Sequence, residues 1–141
     1  MTRNRLLYVA LIAVVIVLGL TTRKYGTAFL APWCAKGISD ALWALCVYLF
    51  FAFFRPSASF RALALGALLF AFAIEFSELY QAHWLNELRG YRLLGLILGF
   101  HFHWVNFLSY TIGIGLGVLG EWWWFFRRTD ILIRTDEEVQ S

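Results

Sequence analysis

The chain has 141 residues, one domain's worth, with a net charge of +3, 61% hydrophobic and only 15% charged residues, and a mean hydropathy of +0.68. A soluble domain averages about 45–50% apolar and about 25% charged, and a fold this small has too little interior to hide the excess from water, so a water-soluble domain is excluded and a lipid bilayer is the expected partner. The basic residues lie at the ends of apolar runs and form no patch with interleaved aromatics, which argues against nucleic-acid binding.

Four apolar stretches follow in chain order. Leu6 to Thr22 is 17 residues without a charge; Arg3 and Arg5 precede it. It resembles a signal peptide, but no small-x-small cleavage site follows Leu18-Gly19-Leu20, so a retained signal anchor is expected. Gly37 to Phe54 carries one charge, Asp40, in 18 residues. Ala62 to Asn86 carries two, Glu75 and Glu78, in 25. Leu93 to Gly120 carries none in 28, too many for one untilted helix. Spanning the hydrocarbon core takes about 20 residues. The expected fold is all-α: a polytopic four-helix transmembrane bundle with helices over 6–22, 38–54, 62–82 and 104–126 in a domain of residues 1–126. Leu93 to Phe100 is expected as an interfacial or partly re-entrant segment before the last helix, and 127–141 as a polar, loosely ordered tail.

Four spans put both termini on one side. With that side cytoplasmic, Arg3, Arg5, Arg55, Arg61, Arg127, Arg128 and Arg134 are inside and Arg23, Lys24, Lys36, Arg89 and Arg92 outside. This bias follows the positive-inside rule. The basic loop Arg55 to Arg61, and Trp122-Trp123-Trp124 followed by Arg127 and Arg128, agree with it. The expected location is a bacterial cytoplasmic (inner) membrane, multi-pass, with N and C termini in the cytoplasm.

Ionisable groups inside spans are costly and usually face the bundle interior or water. Asp40, Glu75, Ser77, Glu78, Gln81, Asn106, Ser109 and Tyr110 all fall at the outer end in this topology, level with Arg23 and Arg89. Glu75, Glu78 and Gln81 step by three along one helix. Asn106, Ser109, Tyr110, Gly113 and Gly117 make one polar-and-small stripe. Gly113 and Gly117 suit close helix contact, within the chain or with a second copy in a homo-oligomer. The candidate ligand-binding residues are therefore Arg23, Asp40, Glu75, Glu78, Gln81, Arg89, Asn106 and Tyr110. They fit two readings: internal ion pairs, Asp40 with Arg23 and Glu75 or Glu78 with Arg89, or a pocket whose arginines hold an anionic group bidentately. Cys34 and Cys46 read as small apolar residues. His83, His101 and His103 lie near the same surface without a diagnostic zinc spacing. No Gly-rich phosphate loop, nucleophile elbow or Cys-x-x-Cys motif occurs, and neither a metal nor a cofactor is expected.

The motifs Gly37-Ile38-Ser39-Asp40-Ala41-Leu42-Trp43, Ile74-Glu75-Phe76 through Gln81, Arg89, and Leu98-Gly99-Phe100-His101-Phe102-His103-Trp104-Val105-Asn106 with Tyr110 to Gly113 occur in that order. Over about residues 5–120 the chain resembles an uncharacterised family of small bacterial membrane proteins, some of which carry the label ribosomal maturation YjgA-like. More remotely it is similar to VanZ-like proteins, membrane proteins linked to the cell envelope. There Glu75, Gln81, Arg89 and Asn106 match an acid, a glutamine, an arginine and an Asp or Asn before a Gly-rich last helix. Asn106 stands where an Asp is expected, so the resemblance implies no carboxylate reaction at that position. Three functions fit. One is a non-enzymatic binder of an anionic envelope molecule or lipid headgroup. Another is a membrane-embedded enzyme on a lipid-linked substrate with Glu75 or Glu78 as acid or base. The last is a structural or assembly subunit.

Overall fold

The computed structural model describes residues 3–140, the side chains of 130–133 and 135–140 excepted. Six α-helices occur in it: α1 (Arg5–Tyr25), α2 (Pro32–Phe54), α3 (Phe60–Ser77), α4 (His83–Gly90), α5 (Arg92–Leu98) and α6 (Trp104–Gln140). There is no strand among the described residues. The starts follow local chemistry. Asn4 accepts a hydrogen bond from the Leu6 N–H at 3.0 Å and Ser59 one from Ala62 at 3.3 Å, each satisfying an orphan donor of the first turn. Pro32 opens α2, where its missing N–H costs nothing. A 3₁₀ turn over Gly26–Ala28 joins α1 to α2.

Three helices, over Arg5–Ala28, Pro32–Phe54 and Phe60–Ser77, are long and apolar enough to cross a membrane. The packing is inverted relative to a soluble protein. The interior holds alanines, Ala44, Ala52, Ala67 and Ala71, whereas Leu6, Val17, Leu65, Leu69, Leu116 and Leu119 point outward. Such a surface is stable against hydrocarbon, and small residues inside let backbones close up.

Helix α2 is central: it packs on α1, α3 and α6, and α6 also packs on α3. Gly113 and Gly117 set the α2–α6 approach. A Cβ at Gly113 would lie 2.0 Å from the Ala41 carbonyl oxygen, and one at Gly117 2.6 Å from the Tyr48 ring. The face open to a second copy in the sequence reading is therefore filled by α2 of the same chain, because the glycine stripe brings the two backbones into contact. Tyr8, Ile12 and Val15, at helical spacing, form the buried face of α1 on α2. Phe72 and Phe76 of α3 meet Phe107 of α6 with ring centroids 4.7 and 5.4 Å apart.

Two expectations change. Helix α3 ends at Ser77, short of residue 82, because the Arg89 guanidinium takes the carbonyls of Ser77 at 2.7 Å and Tyr80 at 3.3 Å and turns the chain into α4. Glu78 and Gln81 therefore do not continue the Glu75 face. The segment expected as a loose tail continues α6 to Gln140. No Gly or Pro follows Gly120, and extending an existing helix costs far less than nucleating one. Ser141 lies outside the described residues. Near the middle of α6, Trp122, Trp123 and Trp124 are exposed, with Arg127 over Trp123 at 4.1 Å and Arg128 over Trp124 at 5.5 Å, as in an interfacial belt.

Candidate functional site: a groove with a polar end

The polar residues form two clusters at opposite ends of the packed helices. The first centres on Glu75, which is 0% exposed. Its carboxylate accepts hydrogen bonds from the His103 backbone N–H at 2.7 Å, from Asn106 Nδ2 at 3.1 and 3.0 Å, and from the Tyr110 hydroxyl at 2.7 Å. Asn106 Oδ1 accepts from Lys36 Nζ at 2.6 Å, and Lys36 also bonds Asp40 at 2.7 Å. The amide orientation follows from Lys36: an ammonium only donates, so Asn106 turns its oxygen to Lys36 and its nitrogen to Glu75. An Asp at 106 would set two carboxylates face to face, which explains why this chain carries the amide.

The expected ion pairs do not form. Asp40 pairs with Lys36, its i−4 neighbour on α2, and Arg23 stays exposed. Glu75 is held by neutral donors. Arg89, 2% exposed, donates through Nη1 and Nη2 to Ser77, Tyr80 and Asn86 Oδ1 (2.8 Å), so it serves as a helix cap. Gln81 is exposed and donates to the Glu78 carbonyl at 2.5 Å. Of the eight candidates, Asp40, Glu75, Asn106 and Tyr110 come together in one network with Lys36, which had not been singled out as a site residue. Glu78 lies beside it, and Arg23 stands at the rim.

Glu78, just beyond the end of α3, is 5% exposed and seated on the backbone of Gly99. There φ is +64°, and any Cβ would collide with Glu78 Oε1. Its Oε2 has no hydrogen-bond partner among the described residues. Burial, reinforced by the neighbouring Glu75 carboxylate, pushes the Glu78 carboxyl up to about 7 from an ordinary 4.5, against the pull of Arg89 and Lys36. A carboxyl raised in the folded state favours folding while protonated, and that contribution is lost as pH rises from 4.5 through 7. In detergent, the melting temperature is expected to fall between pH 5 and pH 8, and Glu78→Gln to flatten that slope. Glu75, Arg89, Lys36 and Asp40 act on Glu78 through their charges, so the difference in slope reports Glu78 together with those couplings. Equal slopes would mean that Glu78 is not the titrating group.

These side chains close one end of a groove of about 750 Å³. Arg23, Lys36, Asp40, Glu78, His101 and Asn106 line the polar end. From there the groove follows α2 past Trp43 and Val47 to Phe54, walled by apolar residues of α1 and α5.

The second cluster was missed. Glu121, 7% exposed, receives Arg3 bidentately, Nε at 2.9 Å and Nη2 at 2.8 Å. It also accepts from the hydroxyls of Tyr8 and of Tyr48, the latter at 2.9 Å. Arg3 Nη1 donates to the carbonyls of Pro56 at 2.9 Å and Ala58 at 2.7 Å. One carboxylate thus ties together the N-terminal segment, α1, α2, the α2–α3 loop and α6. The signal was available: Glu121 continues the step of four from Gly113 and Gly117 on the face that packs on α2.

Among the described residues the structure defines an all-helical protein with three helices long and apolar enough to cross a membrane and a lengthwise apolar groove with one polar end. Residues 29–114 match a family described as protein of unknown function (DUF2809), and the chain belongs to that family. No solved structure matches it.

Proposed function

We propose that this chain is a four-span protein of a bacterial cytoplasmic membrane, with both termini in the cytoplasm, that binds an anionic lipid headgroup or envelope molecule at its outer face. The observation that carries the reading is the groove: apolar along α2 and polar at one end, the shape of a site for an amphiphile. The fourth span is the apolar part of α6, from Trp104 to the tryptophan belt. The cations that meet the headgroup are Arg23 and Lys36, which line the groove, in place of the capping Arg89. Asp40 and Asn106 hold Lys36 in position. Binding is preferred to acid–base catalysis at Glu75, because three donors occupy both oxygens of that buried carboxylate.

The test is retention of phospholipid by the purified protein, read by native mass spectrometry. Arg23→Ala with Lys36→Ala is expected to lower retention about tenfold or more, as loss of charge-assisted contacts implies. Unchanged retention would refute the reading. Topology is read from impermeant maleimide labelling in intact cells, with Cys34 and Cys46 replaced by serine. A cysteine at Glu87 should label and one at Ser57 should not; both positions are exposed in the structure. The reverse pattern would place the site on the cytoplasmic side.

A further inference from the structure

The polar end of the groove holds two kinds of group. Arg23 and Lys36 are cations on α1 and α2, whereas Glu78, past the end of α3, brings a carboxyl that is 5% exposed and whose buried Oε2 has no donor among the described residues. A buried acceptor left unmade costs about 1–3 kcal/mol, and more when charged, so an unsatisfied carboxyl on a side chain that lines a groove marks a place where a donor belongs. A simple anion satisfies Arg23 and Lys36 and leaves Glu78 worse off by repulsion. We infer that the groove takes a phospholipid whose headgroup ends in a primary ammonium, the phosphate lying against Arg23 and Lys36 and the ammonium donating to the Glu78 carboxyl. The inference rests on the amphiphile-binding reading above and narrows its anionic group to the phosphate of a zwitterionic headgroup.

Three features support the choice. An ammonium supplies both the missing hydrogen bond and the countercharge that keeps Glu78 ionised, whereas its carboxyl alone is held up to about 7. A quaternary ammonium has no N–H and brings methyl groups to a carboxyl already pressed onto Gly99, where not even a Cβ fits. The apolar length is sufficient: from Lys36 to Phe54, both lining the groove, α2 advances 18 residues or about 27 Å at about 1.5 Å each. One leaflet offers an acyl chain about half of a hydrocarbon core about 30 Å thick.

The experiment uses the full-length protein in nanodiscs of phosphatidylcholine doped in turn with phosphatidylethanolamine or phosphatidylglycerol. Displacement of a fluorescent phosphatidylethanolamine is read on the wild type and on Glu78→Gln. Wild type is expected to prefer phosphatidylethanolamine about tenfold over phosphatidylcholine, and to prefer it over phosphatidylglycerol. Glu78→Gln should lose both preferences while melting no lower than wild type at pH 8, since it removes a buried charge. Equal binding of all three lipids, still dependent on Arg23 and Lys36, overturns the ammonium assignment and leaves the amphiphile site standing. A preference for phosphatidylglycerol overturns it likewise. A preference that survives Glu78→Gln overturns it by showing that Glu78 pairs elsewhere, Arg89 Nε being the nearby buried donor without a partner. Loss of saturable binding to every lipid in the wild type brings down the amphiphile reading itself.

Discussion

Glu121→Ala is expected to cost the fold about 3–5 kcal/mol, the usual penalty for removing one member of a buried ion pair. The alanine leaves the Arg3 guanidinium, 8% exposed, without its bidentate carboxylate, and strips the Tyr8 and Tyr48 hydroxyls of their acceptor. The two hydroxyls and the Nε and Nη2 donors of Arg3 then lie in a low-dielectric interior with a desolvation cost and no acceptor. Glu121→Gln should cost less, because an amide carbonyl still accepts from one tyrosine. Arg3→Ala should be costly too, since Arg3 also holds the Pro56 and Ala58 carbonyls of the α2–α3 loop. Denaturant titration in detergent micelles measures each. A double-mutant cycle over Arg3 and Glu121 should show the two losses to be strongly non-additive, as they share one contact. If Glu121→Ala unfolds within about 0.5 kcal/mol of wild type, the range of an ordinary surface change, the cluster does not clip the helices together.

Gly113→Ala is the second large effect, and its sign is set by the neighbour. Alanine in place of glycine ordinarily stabilises a helix interior by about 1 kcal/mol. At Gly115, where a Cβ would meet nothing within 4 Å, that gain is expected. At Gly113 the new methyl would lie 2.0 Å from the Ala41 oxygen and 2.8 Å from its carbonyl carbon. Backbone cannot rotate aside as a side chain does, so α2 and α6 must separate. Overpacking costs about 1–3 kcal/mol where side chains can adjust, and this site should exceed that range. The displacement also draws Lys36 on α2 away from Asn106 on α6, so lipid retention should fall together with stability. Two alanine variants two residues apart, one stabilised and one destabilised, would confirm the packing. Matching effects would place the α2–α6 contact elsewhere.

Much of this architecture was legible in the residues themselves. Long apolar runs with two charges at most mark the apolar helices, because burying backbone and charge in hydrocarbon leaves few alternatives to a helix of that length. The stripe of Asn106, Tyr110, Gly113 and Gly117 pointed to the face of α6 that meets another helix, since helical periodicity fixes which side chains share a side. It did not tell a neighbour within the chain from a second copy, a matter of which backbone lies opposite. Nor did it disclose the partners of the charges. Coulomb attraction has no sequence register, so Asp40 was open to Arg23 until the fold brought Lys36, Asn106 and Glu75 into one line. The end of α3 was hidden for a related reason: it is imposed by Arg89, 12 residues on from Ser77 and invisible to local propensity. Composition and periodicity determined that the chain is helical, apolar and polar at chosen points. Tertiary structure alone decided which buried groups are satisfied, and so left Glu78 as the carboxyl with an oxygen to offer.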